Sequence, residues 1–76
     1  MFVKTITDMP EGRKKEQLYQ CDRISVEPMA DNQDSLFAVL ERDVSGYTVS
    51  LEIRKSMMEM YVMNDNGQTI ESYRWR

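Results

Sequence analysis

A chain of 76 residues with a net charge of −3 forms one small domain, and it lacks the basic surface that duplex-DNA binders normally carry. It has one cysteine and no histidine, which excludes an internal disulfide, a Ser-His or Cys-His catalytic relay and a Cys/His zinc site. Without an apolar run of ~20 residues or a signal segment, the chain is expected to be cytoplasmic, with no membrane contact. Its initiating Met1 suggests a complete small gene product.

The first part of the chain predicts two strands with an ambiguous segment between them. Residues 2–7 are β-branched and aromatic, as strands prefer, and Pro10 and Gly12 then break the pattern. Residues 13–19 contain good helix formers and could make one or two helical turns, so the sequence leaves open whether residues 11–18 form a short helix. A strand follows over roughly residues 18–27, and Pro28 ends it because proline cannot donate to the ladder.

The second part reads as alternating strands separated by turns. Residues 29–34 are a polar turn, and residues 35–42 form a strand with apolar side chains on both faces, which favours a central position. A short connection at residues 43–46 leads to the cleanest alternation, over residues 47–55, with Tyr47, Val49, Leu51 and Ile53 on one face. A strand over residues 59–63 and one over residues 68–75 flank Asn66-Gly67, which supplies the positive φ values of a tight hairpin turn.

These elements predict a mainly β fold in a single domain, residues 1–76. We expect a small antiparallel sheet, as a meander or barrel of five to six strands with at most one short helix. Sequential strands are expected to pair, since contiguous hairpins usually neighbour in space. A domain of this size buries a small core, and oligomerisation commonly compensates for that, so a homo-oligomer is expected.

Methionine is over-represented, with seven in the chain and four of them between residues 57 and 63. Alternation places Met58 and Met60 inward with Val62, where methionine fills irregular gaps. Met57 and Met63 fall on the other face together with Tyr61. If nothing covers that face, it is an apolar patch suited to self-association or to a partner.

The C-terminal Tyr73-Arg74-Trp75-Arg76 combines the residue types most enriched at binding hot spots. In a strand, Tyr73 and Trp75 point one way, so they could simply fill the core while the arginines face water. Alternatively, an aromatic ring beside a cation such as Arg54 or a neighbouring subunit's Arg74 could stack on a base and hold a phosphate.

Catalytic and metal-binding interpretations are weaker. The lone Cys21 is expected to be a buried small hydrophobe. The cluster Asp31, Asn32 and Asp34 fits turn chemistry better than a calcium loop, since the distal glutamate and remaining ligands are missing. We therefore expect no enzyme activity, no metal and no cofactor.

The leading hypothesis is a non-enzymatic protein-binding regulator or inhibitor that acts through a β-sheet surface as a homo-oligomer; small acidic regulators of this kind are common in phages and other mobile elements. The first alternative is a module that binds or sequesters a nucleotide or anionic small molecule at a subunit interface. The second is a self-assembling structural module. The predicted binding residues across these hypotheses are Arg54, Met57, Tyr61, Met63, Tyr73, Arg74 and Trp75.

Overall fold

A computed structural model of the protein describes residues 1–44 and 46–75. The described residues form seven β-strands and one 3-10 turn, so the predicted mainly β class is confirmed and the predicted count of five to six strands is too low. The strands are β1 (Phe2–Asp8), β2 (Lys14–Gln20), β3 (Arg23–Met29), β4 (Asn32–Arg42), β5 (Tyr47–Arg54), β6 (Met58–Met63) and β7 (Thr69–Tyr73). No helix in this part of the chain is long and apolar enough to cross a membrane.

The strands make two antiparallel sheets instead of the single meander or barrel that the sequence predicts. The four-stranded sheet has the order β2-β1-β6-β7, and the three-stranded sheet has the order β3-β4-β5. Four of the five strand pairs join consecutive strands, as expected; the exception is β1 with β6, which are far apart in sequence. The segments after β2 and after β5 carry the chain from one sheet to the other. Each sheet has two edge strands that do not pair with each other, so neither sheet closes into a barrel.

The short helix that the sequence leaves open near residues 11–18 does not form. Pro10–Gly12 is a single 3-10 turn, and Lys14–Gln20 is the edge strand β2, paired along its whole length with β1. Helix propensity differs between residues by less than about 1 kcal/mol, so a complete ladder of tertiary hydrogen bonds overrides it. The backbone pairing with β1 therefore decides the conformation of this segment.

The strand predicted over residues 18–27 is divided at Cys21. The Cys21 N–H donates to the Met1 carbonyl at 2.9 Å, and the next N–H, of Asp22, donates to the Glu41 carbonyl of the other sheet at 2.8 Å. The chain therefore changes sheets at this point. Pro28 does not end the following strand, because β3 is an edge strand whose ladder with β4 becomes irregular between Pro28 and Met29.

The core lies between the two sheets. The four-stranded sheet contributes Val3, Met60 and Val62, and the three-stranded sheet contributes Ala38, Leu40 and Ile53. Cys21 is buried where the chain crosses between them, as predicted for a small hydrophobe. Val49, Leu51 and Met58 are half-buried against this cluster, which confirms the predicted inward faces of β5 and β6 and the central position of β4.

Two predicted turns lie where expected. The connection at residues 43–46 joins β4 to β5, although its Ser45 is outside the described residues. At the other turn the Gly67 N–H donates to the Asn64 carbonyl at 3.0 Å, and the Asn64 side chain accepts from the Asn66 N–H at 3.0 Å. Of Asn66 and Gly67, only the glycine has a positive φ, at +82°, so this turn needs one left-handed residue and not the two that were predicted.

Candidate functional site

The four-stranded sheet has one face packed on the core and one face turned away from the rest of the chain, here called the open face. Because side chains alternate along a strand, the buried Val3 and Met60 identify the inner side and place their neighbours outside. The open face carries a row of large apolar side chains with one lysine among them: Phe2, Lys4 and Ile6 of β1, Leu18 of β2, and Tyr61 and Met63 of β6. The same register also places Glu16, Gln20 and Glu59 on this face.

The register of the sheet places apolar or aromatic side chains directly opposite Lys4 on both sides, and Glu16 and Glu59 at the diagonal positions opposite Ile6. Lys4 lies directly opposite Leu18 on one side and Tyr61 on the other, while Phe2 lies opposite Met63. Residues in directly opposed positions have Cβ atoms about 4.5–5.5 Å apart, so these side chains touch across the strands. A shallow depression of about 300 Å³ is formed here by Lys4, Ile6, Tyr61, Met63 and Thr69.

Tyr61 interacts with two charged side chains, Glu59 and Arg74. The Tyr61 hydroxyl donates to the Glu59 carboxylate on the same face, and this hydrogen bond, with a smaller effect of burial, raises the pKa of Tyr61. The guanidinium of Arg74 is close enough to interact with the same hydroxyl and partly opposes that shift. Arg74 thus adds a second cation to the open face, and the phenol of Tyr61 remains protonated at neutral pH.

Lys4 differs from several other cations of the protein because it has no ion-pair partner within residues 1–44 and 46–75. Lys14 pairs with Asp8 at 2.9 Å, and Arg54 pairs with Glu52 at 3.0 Å. No such pair holds the ammonium of Lys4, which is half-buried among apolar neighbours. A cation in this position favours an incoming carboxylate, since part of its hydration is already replaced by apolar groups.

The seven predicted binding residues are divided among several surfaces. Tyr61, Met63 and Arg74 come together on the open face. Met57 lies half-buried in the connection between the sheets, where its carbonyl accepts the Asp8 N–H at 2.7 Å. Arg54 follows the buried Ile53 and therefore projects from the outer side of the three-stranded sheet, toward Glu52.

Tyr73 and Trp75 lie on the opposite side of the sheet from Arg74. Tyr73 packs against the core, and its hydroxyl donates to the Glu71 carboxylate at 2.5 Å, which together with burial raises its pKa to about 12. Trp75 follows the end of β7, with its ring centroid 6.5 Å from that of Tyr73 and the Lys55 Nζ 6.0 Å away. The cation beside Trp75 is thus Lys55 and not Arg54; Arg76 lies outside the described residues.

Four of the six residues in this row of the open face were missed by sequence reasoning. Phe2, Lys4 and Ile6 belong to a strand that was identified only by its β-branched and aromatic composition, and Leu18 was assigned to the strand over residues 18–27. A usable signal was present, because residues 2–6 carry apolar side chains at both parities. A strand with apolar residues at both parities presents apolar side chains on both faces of the sheet, and only one of these faces is needed for the core.

The sequence offers a single cysteine as a possible nucleophile and acidic side chains as possible metal ligands, and the structure shows where they lie. Cys21 is 1% exposed, and burial raises the pKa of its thiol, which disfavours the reactive thiolate. Among residues 1–44 and 46–75 no three Cys, Asp or Glu side chains gather as metal ligands.

Comparison with protein-family models, with curated proteins and with solved structures finds no match for this chain. The open face and the cavities are therefore the features of this molecule that bear on its function.

Proposed function

We propose that the chain is a non-enzymatic protein-binding regulator or inhibitor that receives its partner on the open face. The observation that supports this proposal is a row of large apolar side chains on one side of a four-stranded sheet, which no described segment of the chain covers. Leu18 is 62% exposed, and the other apolar members of the row are half-buried: Phe2, Ile6, Tyr61 and Met63. Contiguous apolar surface of this kind on a small protein is typical of interaction sites.

The partner is expected to present a carboxylate surrounded by apolar side chains. Lys4 lies at the centre of the face and forms no ion pair with residues 1–44 or 46–75, and Arg74 adds positive charge at one side. An acidic group that docks against Lys4 would replace its lost hydration, while apolar groups cover Phe2 and Met63. Complementary charge of this kind fixes the orientation of a partner more than it adds affinity.

Docking on the face is favoured over strand addition at the β2 edge of the sheet. The free edge of this sheet at β2 carries Lys14, Lys15 and Glu16, all exposed. Charged residues along an edge strand discourage pairing with another chain. The partner is therefore expected to contact side chains of the open face and not the backbone of β2.

Self-association through the same face is a second candidate, and it would make the chain a homo-oligomer or a self-assembling module. The observation in its favour is the small core, in which seven apolar side chains are fully buried among the described residues. Two open faces could stack at the ~10 Å spacing usual between packed sheets.

Capture from an extract of the source cells, followed by reconstitution from purified proteins, tests the first candidate. Immobilised wild-type chain should retain a protein that Lys4→Glu and Met63→Ser lose, with affinity reduced about tenfold or more. Lys15→Glu is the matched control, because it reverses the same charge on the opposite face of the sheet, and it should bind like the wild type. Restoration of binding to Lys4→Glu by an acid-to-lysine change in the partner would establish the charge pairing.

Sedimentation of the purified chain separates the two candidates. A wild-type monomer that forms a defined complex only with the captured protein supports the heterologous partner. A dimer that Met63→Ser converts to a monomer supports self-association. Retention of the captured protein by both variants, with folding unchanged, would refute the assignment to the open face.

A further inference from the structure

A second cavity lies between the two sheets, away from the open face. Its volume is about 360 Å³, within the range of small-molecule sites. The half-buried Tyr19 and the neighbouring Gln20 line it from β2, and Arg42 and Tyr47 line it from β4 and β5. Its lining also includes Leu40 and Val49, which belong to the inner face of the three-stranded sheet.

Arg42 is the charged group of this cavity, and the nearest acids along the chain are engaged elsewhere. Glu41 and Asp43, which flank it, both accept hydrogen bonds from Arg23. The carboxylate of Asp22 accepts the Asp43 N–H at 2.7 Å. Within the part of the chain that the structure describes, Arg42 forms no ion pair, although it is half-buried.

The alternation of β4 explains this separation of charges. Glu41 and the guanidinium of Arg23 face outward on directly paired positions of β4 and β3. Arg42 has the same parity as the buried Leu40, so it projects to the inner side, opposite Tyr47. A guanidinium presents several N–H donors in a planar fork that matches carboxylate and phosphate oxygens.

The remaining walls suit a flat ring. Tyr19 comes from the four-stranded sheet and Tyr47 from the three-stranded sheet, so the two phenol rings approach the cavity from different sheets. Tyrosine faces provide stacking surface for an aromatic group, and Leu40 and Val49 provide an apolar floor.

We propose that this cavity binds a planar aromatic anion, with its ring between Tyr19 and Tyr47 and its carboxylate or phosphate on Arg42. Leu18 lines this cavity and also belongs to the open face. The residues that would hold the ligand, Tyr19, Arg42 and Tyr47, do not belong to the open face. Ligand binding here can therefore succeed or fail independently of the proposed protein interaction.

Amide chemical shifts measured during ligand titration test the proposal. The probes are phenyl phosphate, benzoate and adenosine monophosphate, with phenol, adenosine and inorganic phosphate as controls that lack either the charge or the ring. We expect saturable shifts at the amides of Tyr19, Gln20, Arg42 and Tyr47. The aromatic anions should bind at least about tenfold more tightly than each control, because a charge-assisted bond and ring stacking are both required. The ratio between benzoate and phenyl phosphate distinguishes a carboxylate from a phosphate ligand.

Substitutions at the two ends of the cavity complete the test. Arg42→Gln should weaken binding of phenyl phosphate about tenfold and bring it close to that of phenol, whereas Arg54→Gln, on the outer side of the same sheet, should leave it unchanged. Tyr47→Leu should weaken both phenyl phosphate and phenol. No saturable shift with any aromatic anion would overturn the proposal, and so would equal binding by wild type and a folded Arg42→Gln variant.

Discussion

Ile53 on β5 is fully buried between the two sheets, so its replacement with alanine measures how strongly they are held together. The change removes about three methylene equivalents at ~0.8 kcal/mol each, or about 2.4 kcal/mol of transfer free energy. A cavity contribution raises the expected loss to about 3–4 kcal/mol. A domain of 76 residues has a total free energy of unfolding of about 4–11 kcal/mol. Ile53→Ala should therefore remove a large share of the stability.

Urea unfolding followed by circular dichroism measures this loss. With a slope of about 1 kcal/mol/M for a small domain, the midpoint should fall by about 3 M without a change of slope. Val44→Ala is the control, because Val44 is 94% exposed and its truncation should change stability by less than about 0.5 kcal/mol. Leu51→Ala, at a half-buried position, should fall between the two. A loss below about 1 kcal/mol for Ile53→Ala would refute the packing of β5 against the four-stranded sheet.

Two further predictions concern the last hairpin. Gly67→Val should destabilise the protein by about 1–2 kcal/mol in the same assay, because a β-branched residue is strained at φ +82°. The added Cβ would meet no neighbouring atom, so the expected loss comes from backbone strain alone. Wild-type stability would show that residue 67 does not have a positive φ in this turn. Since the pKa of Tyr73 is raised to about 12 from an ordinary value near 10, stability should be lost as the pH rises from about 10 to about 12. Tyr73→Phe should lose less over this range and should lack the tyrosine that ionises last in an ultraviolet titration. Loss of a tyrosine that ionises near the ordinary value of 10 would contradict the Glu71 hydrogen bond.

Strict alternation was the most dependable signal in this sequence. It identified the inward faces of β5 and β6, with Ile53, Met60 and Val62 in the core. A strand has two faces and a period of two, so a run of alternating residues specifies which side is buried without knowledge of the partner strand. The apolar residues on both faces of β4 similarly indicated its central place.

Composition was misleading where local and long-range preferences conflict. Residues 13–19 contain helix formers, yet they form the edge strand β2 because β1 offers them a complete ladder. The division of the predicted strand at Cys21 likewise depends on bonds to Met1 and Glu41, which are distant in sequence. Local propensity contains no information about these partners.

The candidate sites were likewise predictable where they depend on local alternation and not where they depend on long-range strand pairing. Alternation predicted that Tyr61 and Met63 share one face of β6, but it also placed Met57 with them, and Met57 lies in the connection between the sheets. Tyr73 was predicted to face the same way as Trp75. The pairing of β1 with β6 adds Lys4 to that surface, and this pairing joins strands at opposite ends of the chain. Residues on β1 could not be assigned to the site until that register was known.

The sequence by itself determined the mainly β class, the inward faces of β5 and β6, the turn at Asn64–Gly67 and the lack of histidine-based chemistry, because these depend on neighbouring residues or on composition. Only the tertiary structure decided that the strands divide into two sheets, that Lys4 lies among apolar side chains, and that Arg42 faces a cavity lined by Tyr19 and Tyr47. These features depend on which strands pair and in what register, and that choice is made by the free energy of the whole folded chain.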